Sequence, residues 1–88
     1  MAMDATYLQS AGDVIGAAPS LRDAAAIWRL RDPSTRVLLV DAMDMRDETP
    51  ALLLGNRRVY LATSNGLCWS VTQQPEEATA LILTQEGI

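Results

Sequence analysis

The chain has 88 residues, 49% of them apolar and 20% charged, with a net charge of −4 and a pI near 4.5. This length predicts a single domain spanning residues 1–88 with one small core, and the acidic balance argues against nucleic acid or an anionic membrane as a partner. The absence of histidine and the single cysteine exclude most His-dependent hydrolase and zinc sites and any internal disulfide, so we expect a cytosolic protein without a cofactor.

An amphipathic helix is predicted near the start of the chain, after a disordered segment at residues 1–3. Asp4 is suited to cap this helix, and apolar residues follow it at helical spacing as far as Ile15. Gly12 and Gly16 lie four residues apart on it, a pattern that permits close approach of another element. We therefore expect a packing notch at these two glycines.

A second helix is predicted from Leu21 to Leu30. Ser20 can cap it, and Trp28 lies on its apolar stripe, where we expect it to anchor the core. Asp32-Pro33 should end the helix, because the residue before a proline avoids helical backbone angles.

The run from Arg36 to Val40 predicts a strand that is apolar on both faces, and we place it in the middle of the sheet. It leads into an acidic loop, residues 41–48. An apolar strand that ends in aspartate can present a carboxylate to Mg²⁺, so Asp41 and Asp44 are candidate ligands of a divalent metal. The loop lacks the aspartate spacing of the phosphotransfer motifs, and a solvated acidic surface is the alternative.

A β-meander follows. Its predicted strands and turns are Ala51–Leu54, the turn Gly55-Asn56, Arg57–Thr63, the turn Asn65-Gly66, and Leu67–Thr72. Glycine and asparagine tolerate the positive φ that tight hairpin turns require. The segment 59–69 resembles the inner hairpin of a β-propeller blade, and this resemblance implies only the hairpin itself.

The last element is predicted to be a helix from Glu76 to Thr84. Proline at position 75 and two carboxylates behind it are typical of a helix start. The alternative is a short turn followed by a strand from Ala80 to Thr84, because Leu-Ile-Leu-Thr has β character. The predicted fold is thus α+β, with two N-terminal helices and one C-terminal helix on a small, mainly antiparallel sheet of four strands.

One sheet face is expected to remain exposed and to bind a partner. Strand alternation places Arg58 and Tyr60 on that face, opposite Val59 and Arg57, and a mixed face with an arginine and a tyrosine is typical of protein interfaces. The candidate partner contacts are Arg58, Tyr60, Ser70, Thr72, Met43 and Met45. Arg57 should reach water or the acidic loop.

These observations lead to two functional hypotheses. The first is a small acidic interaction module of the adaptor or inhibitor type, which docks through the sheet face without catalysis and binds a protein partner or a second copy as a homodimer. The alternative is a metal-binding protein or an enzyme of phosphate chemistry that uses Asp41 and Asp44.

Overall fold

The computed structural model describes residues 4–65 and 68–86 of the chain. The expected disordered start at residues 1–3 and the Gly66 position of the second hairpin turn lie outside these ranges. The helices and strands are α1 (Ala5–Ala17), α2 (Leu21–Arg31), β1 (Arg36–Leu39), β2 (Leu52–Leu54), β3 (Arg57–Asn65), β4 (Cys68–Thr72) and β5 (Ala80–Gln85). Two short 3₁₀ turns, turn 1 (Ala42–Met45) and turn 2 (Pro75–Glu77), lie in the connections before β2 and before β5.

The described strands form one five-stranded mixed sheet in the order β1-β5-β3-β2, with β4 also paired to β3. β5 runs parallel to β1, whereas β3 is antiparallel to each of its neighbours. β2 and β4 follow one another along one edge of β3, because Val59 pairs with β2 and Leu61 with β4 while both residues also pair with β5. The helices cover one face of the sheet, the inner face, and turn 1 packs on the other, the outer face.

The α+β class and the two N-terminal helices are confirmed, and both helices begin at the predicted caps. The Asp4 carboxylate accepts a hydrogen bond from the Tyr7 amide at 2.8 Å, and the Ser20 hydroxyl accepts one from the Asp23 amide at 3.1 Å. These side chains satisfy amide groups that have no partner within the first helical turn.

The predicted C-terminal helix is wrong, and the alternative strand is correct. Turn 2 starts at Pro75 but extends only to Glu77, since Ala78 has extended backbone angles (φ −73°, ψ 138°). Side chains from Ala80 to Thr84 are at most 5% exposed, whichever face they point to. A helix on a sheet buries one stripe, whereas a strand in a sheet that is covered on both sides, here by the helices and by turn 1, buries both faces. The sheet is therefore mixed and five-stranded, not mainly antiparallel and four-stranded.

β1 lies at an edge of the sheet, and the prediction that it is central was wrong. Among the described strands it pairs with β5, which takes the central place. The Arg29 guanidinium donates a hydrogen bond to the Val37 carbonyl at 2.6 Å, so that a side chain from α2 covers part of the edge. Covering an edge in this way limits pairing with strands of other molecules.

Arg57 holds the end of α1 against the sheet. It lies on the inner face, as predicted, and its Nη1 donates hydrogen bonds to the carbonyls of Ile15 and Ala18, each at 2.7 Å. Its Nε donates to the Gln85 side chain at 3.1 Å. Because α1 has no basic residue in its last turn, this guanidinium supplies the positive charge that a helix C-terminus favours. These bonds take the place of the expected contact with the acidic loop, and the Arg57 side chain remains partly exposed to water.

Trp28 is buried, as predicted, in a hydrogen-bonded network that joins α1 to α2. Its indole Nε1 donates to the Tyr7 hydroxyl at 2.9 Å, and that hydroxyl donates to the Asp32 carboxylate at 2.7 Å. The two rings meet edge to face with centroids 5.3 Å apart. The Thr35 hydroxyl donates to the same carboxylate oxygen at 2.6 Å. The hydrogen bonds from Thr35 and Tyr7, in that order of size, lower the pKa of Asp32.

Replacing Gly12 by alanine should stabilise the protein. Of the two glycines of the predicted notch, Gly16 is exposed and Gly12 is buried where α1 packs on β2; a methyl group at Gly12 would lie 3.5 Å from Leu52 Cδ1 and 3.6 Å from Leu54 Cδ2, both ordinary contact distances. Alanine is favoured over glycine within a helix by about 1 kcal/mol, so the melting temperature should rise by about 4–8 °C.

Gly55→Ala is the matched control for this change. Gly55 has a φ of +66°, a conformation that a side chain disfavours by roughly 1–2 kcal/mol, so its replacement should lower the melting temperature. If Gly12→Ala also lowered the melting temperature, the contact between α1 and β2 would be tighter than described.

Asp32 should make the protein less stable in acid. Its pKa is lower in the folded chain than its ordinary value of about 3.9, so the unfolded state binds more protons as the pH falls below that value. The stabilisation is complete above about pH 5 and is lost as the pH falls through the folded pKa. In urea titrations from pH 7 to pH 2, Asp32→Asn should show a shallower decline of unfolding free energy than the original chain. If the unfolding free energies of the two chains fall in parallel with pH, the acid sensitivity comes from other carboxylates.

Candidate functional site

The described residues form a groove of about 840 Å³ beyond the carboxyl ends of β1 and β5. These ends meet at one edge because the two strands are parallel. The floor and walls come from α2, from the segment that contains turn 1, and from the end of β5: Leu21, Val40, Asp41, Ala42, Met43, Arg46, Gln85 and Glu86. The groove is open to solvent and is lined by both apolar and charged side chains.

Asp41, the predicted metal ligand, holds turn 1 in place. Its carboxylate accepts a hydrogen bond from the Met43 amide at 2.9 Å, and its carbonyl accepts one from the Asp44 amide at 3.0 Å. Within residues 4–65 and 68–86, no group of three or more His, Cys, Asp or Glu side chains is placed to hold a metal ion. Within the described residues, Asp41 and Asp44 thus form no metal-binding group with a third side chain of these four types.

Next to the groove lies an ion pair between β3 and the end of β5. The Arg58 guanidinium is 3.1 Å from the Glu86 carboxylate, and the two side chains are 30% and 45% exposed. The Glu86 backbone is fixed by two hydrogen bonds with Asn56, one from the Glu86 amide at 2.7 Å and one to the Glu86 carbonyl at 3.1 Å. The carboxylate is therefore held at the end of the strand and within reach of Arg58.

Leu53 lies on the other side of Arg58. It is directly opposite Arg58 in the pairing of β2 with β3, and it shares the outer face with it. Leu53 is 67% exposed, and Met43 at the groove is 72% exposed. Two exposed aliphatic side chains therefore flank an ion pair, and we name the set Met43, Glu86, Arg58 and Leu53 the end strip.

The other predicted partner contacts do not belong to this surface. Tyr60 is 1% exposed, and its hydroxyl donates a hydrogen bond to the Met45 carbonyl at 3.2 Å, beneath turn 1. Met45 is also buried there. Ser70 and Thr72 lie on the inner-face side of β4, because they pair with Thr63 and Leu61 of β3. The six predicted contacts are thus divided between two faces and the core.

The expectation of an open sheet face was wrong for a physical reason. The chain must cross from β1 at one edge to β2 at the other, and it does so over the outer face, where turn 1 covers Tyr60. The register of β3 with β4 also places Trp69 and Val71, not Ser70 and Thr72, on the side of Tyr60. Of the predicted contacts, Arg58 and Met43 lie in the end strip.

Sequence reasoning missed Leu53 and Glu86. Leu53 is the middle residue of an apolar triplet, and only alternation against Leu52 and Leu54, which pack on the core, marks it as outward-facing. Glu86 carried no local signal, since its position next to Arg58 follows from the antiparallel pairing of β5 with β3.

Tyr60→Phe should loosen turn 1 without opening the sheet. The change removes the hydrogen bond to the Met45 carbonyl, which keeps its bond from the Glu48 amide, so the expected cost is about 0.5–1.5 kcal/mol. The amides of Asp44 and Glu48, which are bonded within this segment, should exchange with deuterium faster, while those of β5 keep their relative protection. Equal acceleration in both places would indicate global destabilisation instead of an anchor for turn 1.

Neither described helix is long and apolar enough to cross a membrane. Comparison with protein-family models, with curated proteins and with solved structures gave no match for this chain.

Proposed function

We propose that this chain is a small protein-binding module that docks through the end strip and has no catalytic role of its own. The observation that carries the proposal is the juxtaposition of two exposed aliphatic side chains, Met43 and Leu53, with the Arg58–Glu86 ion pair between them. Exposed aliphatic side chains beside a polar pair are suited to an interface that excludes water at its apolar contacts and gains specificity from its charges.

The groove adds to this surface. Its apolar lining residues, Leu21, Val40, Ala42 and Met43, form a concave site at the Met43 end of the strip, and the exposed Leu53 side chain lies at the other end. A partner side chain placed in the groove would lose contact with water on several sides, which is the environment in which interface residues contribute most to affinity.

The adaptor version of this module has more support than the inhibitor version. An inhibitor that imitates an anionic ligand needs carboxylates gathered on one face. Here the acidic residues are distributed over both helices, the segment containing turn 1, turn 2 and the end of β5. We retain the cytosol as the proposed location, where the exposed thiol of Cys68 would remain reduced.

Leu53→Glu should abolish partner binding while leaving the fold intact. The side chain is 67% exposed, so the substitution removes little packing, but it places a carboxylate where a partner would bury an apolar group. The matched control is Leu30→Glu on α2, the same change at a residue that is 83% exposed on the opposite side of the sheet. Each immobilised chain is exposed to a cell extract, and the retained proteins are quantified by mass spectrometry.

Proteins that bind through the end strip should be retained by the original chain and by Leu30→Glu but lost from Leu53→Glu. Arg58→Ala should also reduce retention, with almost no change in melting temperature, because a partly exposed ion pair contributes about 0–1 kcal/mol. If all the chains retained the same proteins in the same amounts, the end strip would not be the docking surface.

A further inference from the structure

The residues of the end strip stand in a fixed order because they come from neighbouring strands. Across the sheet in the order β1, β5, β3, β2, Met43 lies beyond the end of β1, Glu86 at the end of β5, Arg58 on β3, and Leu53 on β2. Read in this direction, the strip is apolar, negative, positive and apolar.

This order is complementary to itself after a half-turn. Rotation by 180° about an axis through the middle of the ion pair reverses the strip to apolar, positive, negative and apolar. Glu86 of one copy then faces Arg58 of the other, and Met43 faces Leu53. A twofold axis repeats each contact, so the Glu86–Arg58 pair and the Met43–Leu53 pair each form twice in a single interface.

The shape of the surface agrees with the charges. The half-turn carries the exposed Leu53 side chain of one copy to the groove end of the other, where Leu21, Val40, Ala42 and Met43 provide apolar lining. Within one chain, Leu53 is separated from this groove by the width of β3 and β5, so it cannot fill its own groove.

We propose that the occupant of the end strip is a second copy of this chain, bound across a twofold axis with Leu53 of each copy in the groove of the other. The proposal rests on the proposed function, since it names the partner of the same surface. Four side chains and a groove form a small interface compared with the roughly 20–30 residues a side of a standard one. The dimer should therefore be reversible and depend on protein concentration.

Sedimentation equilibrium of the full chain tests the dimer directly. Over about a thousandfold range of concentration, the average mass should rise from that of one chain toward that of two. Leu53→Glu should raise the dimer dissociation constant at least about tenfold, and Leu30→Glu should leave it unchanged. Circular dichroism melting curves of each variant check that the fold is retained.

A charge exchange between two variants identifies the axis. Arg58→Glu gives a strip with two carboxylates, and Glu86→Arg gives a strip with two guanidinium groups, so each variant loses its internal ion pair and repels its own copies. A mixture of the two restores opposite charges only between chains. The single exposed cysteine, Cys68, lies at the far end of β3 from Arg58 and can carry a dye on one of the two variants.

The labelled variant should sediment as a monomer alone and as a dimer when the other variant is added. If the original chain forms dimers but the mixture of the two charge variants does not, the twofold arrangement is wrong. A monomeric original chain at every concentration would overturn the second copy as occupant. If the original chain is monomeric but retains cell-extract proteins that Leu53→Glu does not, the end strip is still supported as a docking surface for another protein. If every variant retains the same cell-extract proteins, both the docking surface and the dimer are wrong.

Discussion

The structure depends on the insertion of β5, the last described element, between β1 and β3. Its side chains are buried on both faces, with Leu81 and Leu83 in the core beneath the helices and Ala80 and Ile82 in the cluster beneath turn 1. This position joins the end of the chain to its middle, so the sheet is complete only when β5 is in place. Because β5 is parallel to β1 and antiparallel to β3, its carboxyl end provides both a wall of the groove and the carboxylate that pairs with Arg58.

The middle of the outer face, beneath turn 1, is closed by local packing and is not left free for a partner. Ala62 and Ala80 lie directly opposite each other in β3 and β5, and both are fully buried. On the same face, the guanidinium of Arg36 lies 5.9 Å from the ring centre of Trp69, so two long side chains from β1 and β4 meet across the sheet. Such a contact is worth about 0.5–1 kcal/mol near the surface. The surface suited to docking is therefore at the end of the sheet.

The end strip is compatible with a chain that exists both free and bound. In the free chain, Arg58 and Glu86 are paired and partly hydrated, so neither charge is left without a partner. Binding must remove water from both, and the Coulomb attraction across an interface repays this loss only when the geometry of the new contacts is good. Met43 is presented by turn 1, which the Asp41 cap and the Tyr60 hydroxyl hold in place. Residues inside the fold therefore position the apolar contacts of the surface.

The sequence by itself determined the elements whose signals are local. Side chains at Asp4 and Ser20 cap helices through amides a few residues away, and the period of the apolar residues shows which stripe is buried. Strand alternation and the interleaved charges also predicted that Arg58 and Met43 lie at a surface. They did not identify Leu53 and Glu86, which complete the end strip.

Only the tertiary structure decided that residues 80–85 form a strand and not a helix, and it alone decided the order of the strands and the register of β4. Turn 2 has the composition of a helix start, but the residues after it pair with β1 and β3 and are buried by the helices on one face and by turn 1 on the other. Pairing partners lie far apart along the chain, and a shift of one residue moves every side chain of a strand to the other face. For this reason neither the burial of Tyr60 nor the meeting of Glu86 with Arg58 can be derived from local patterns.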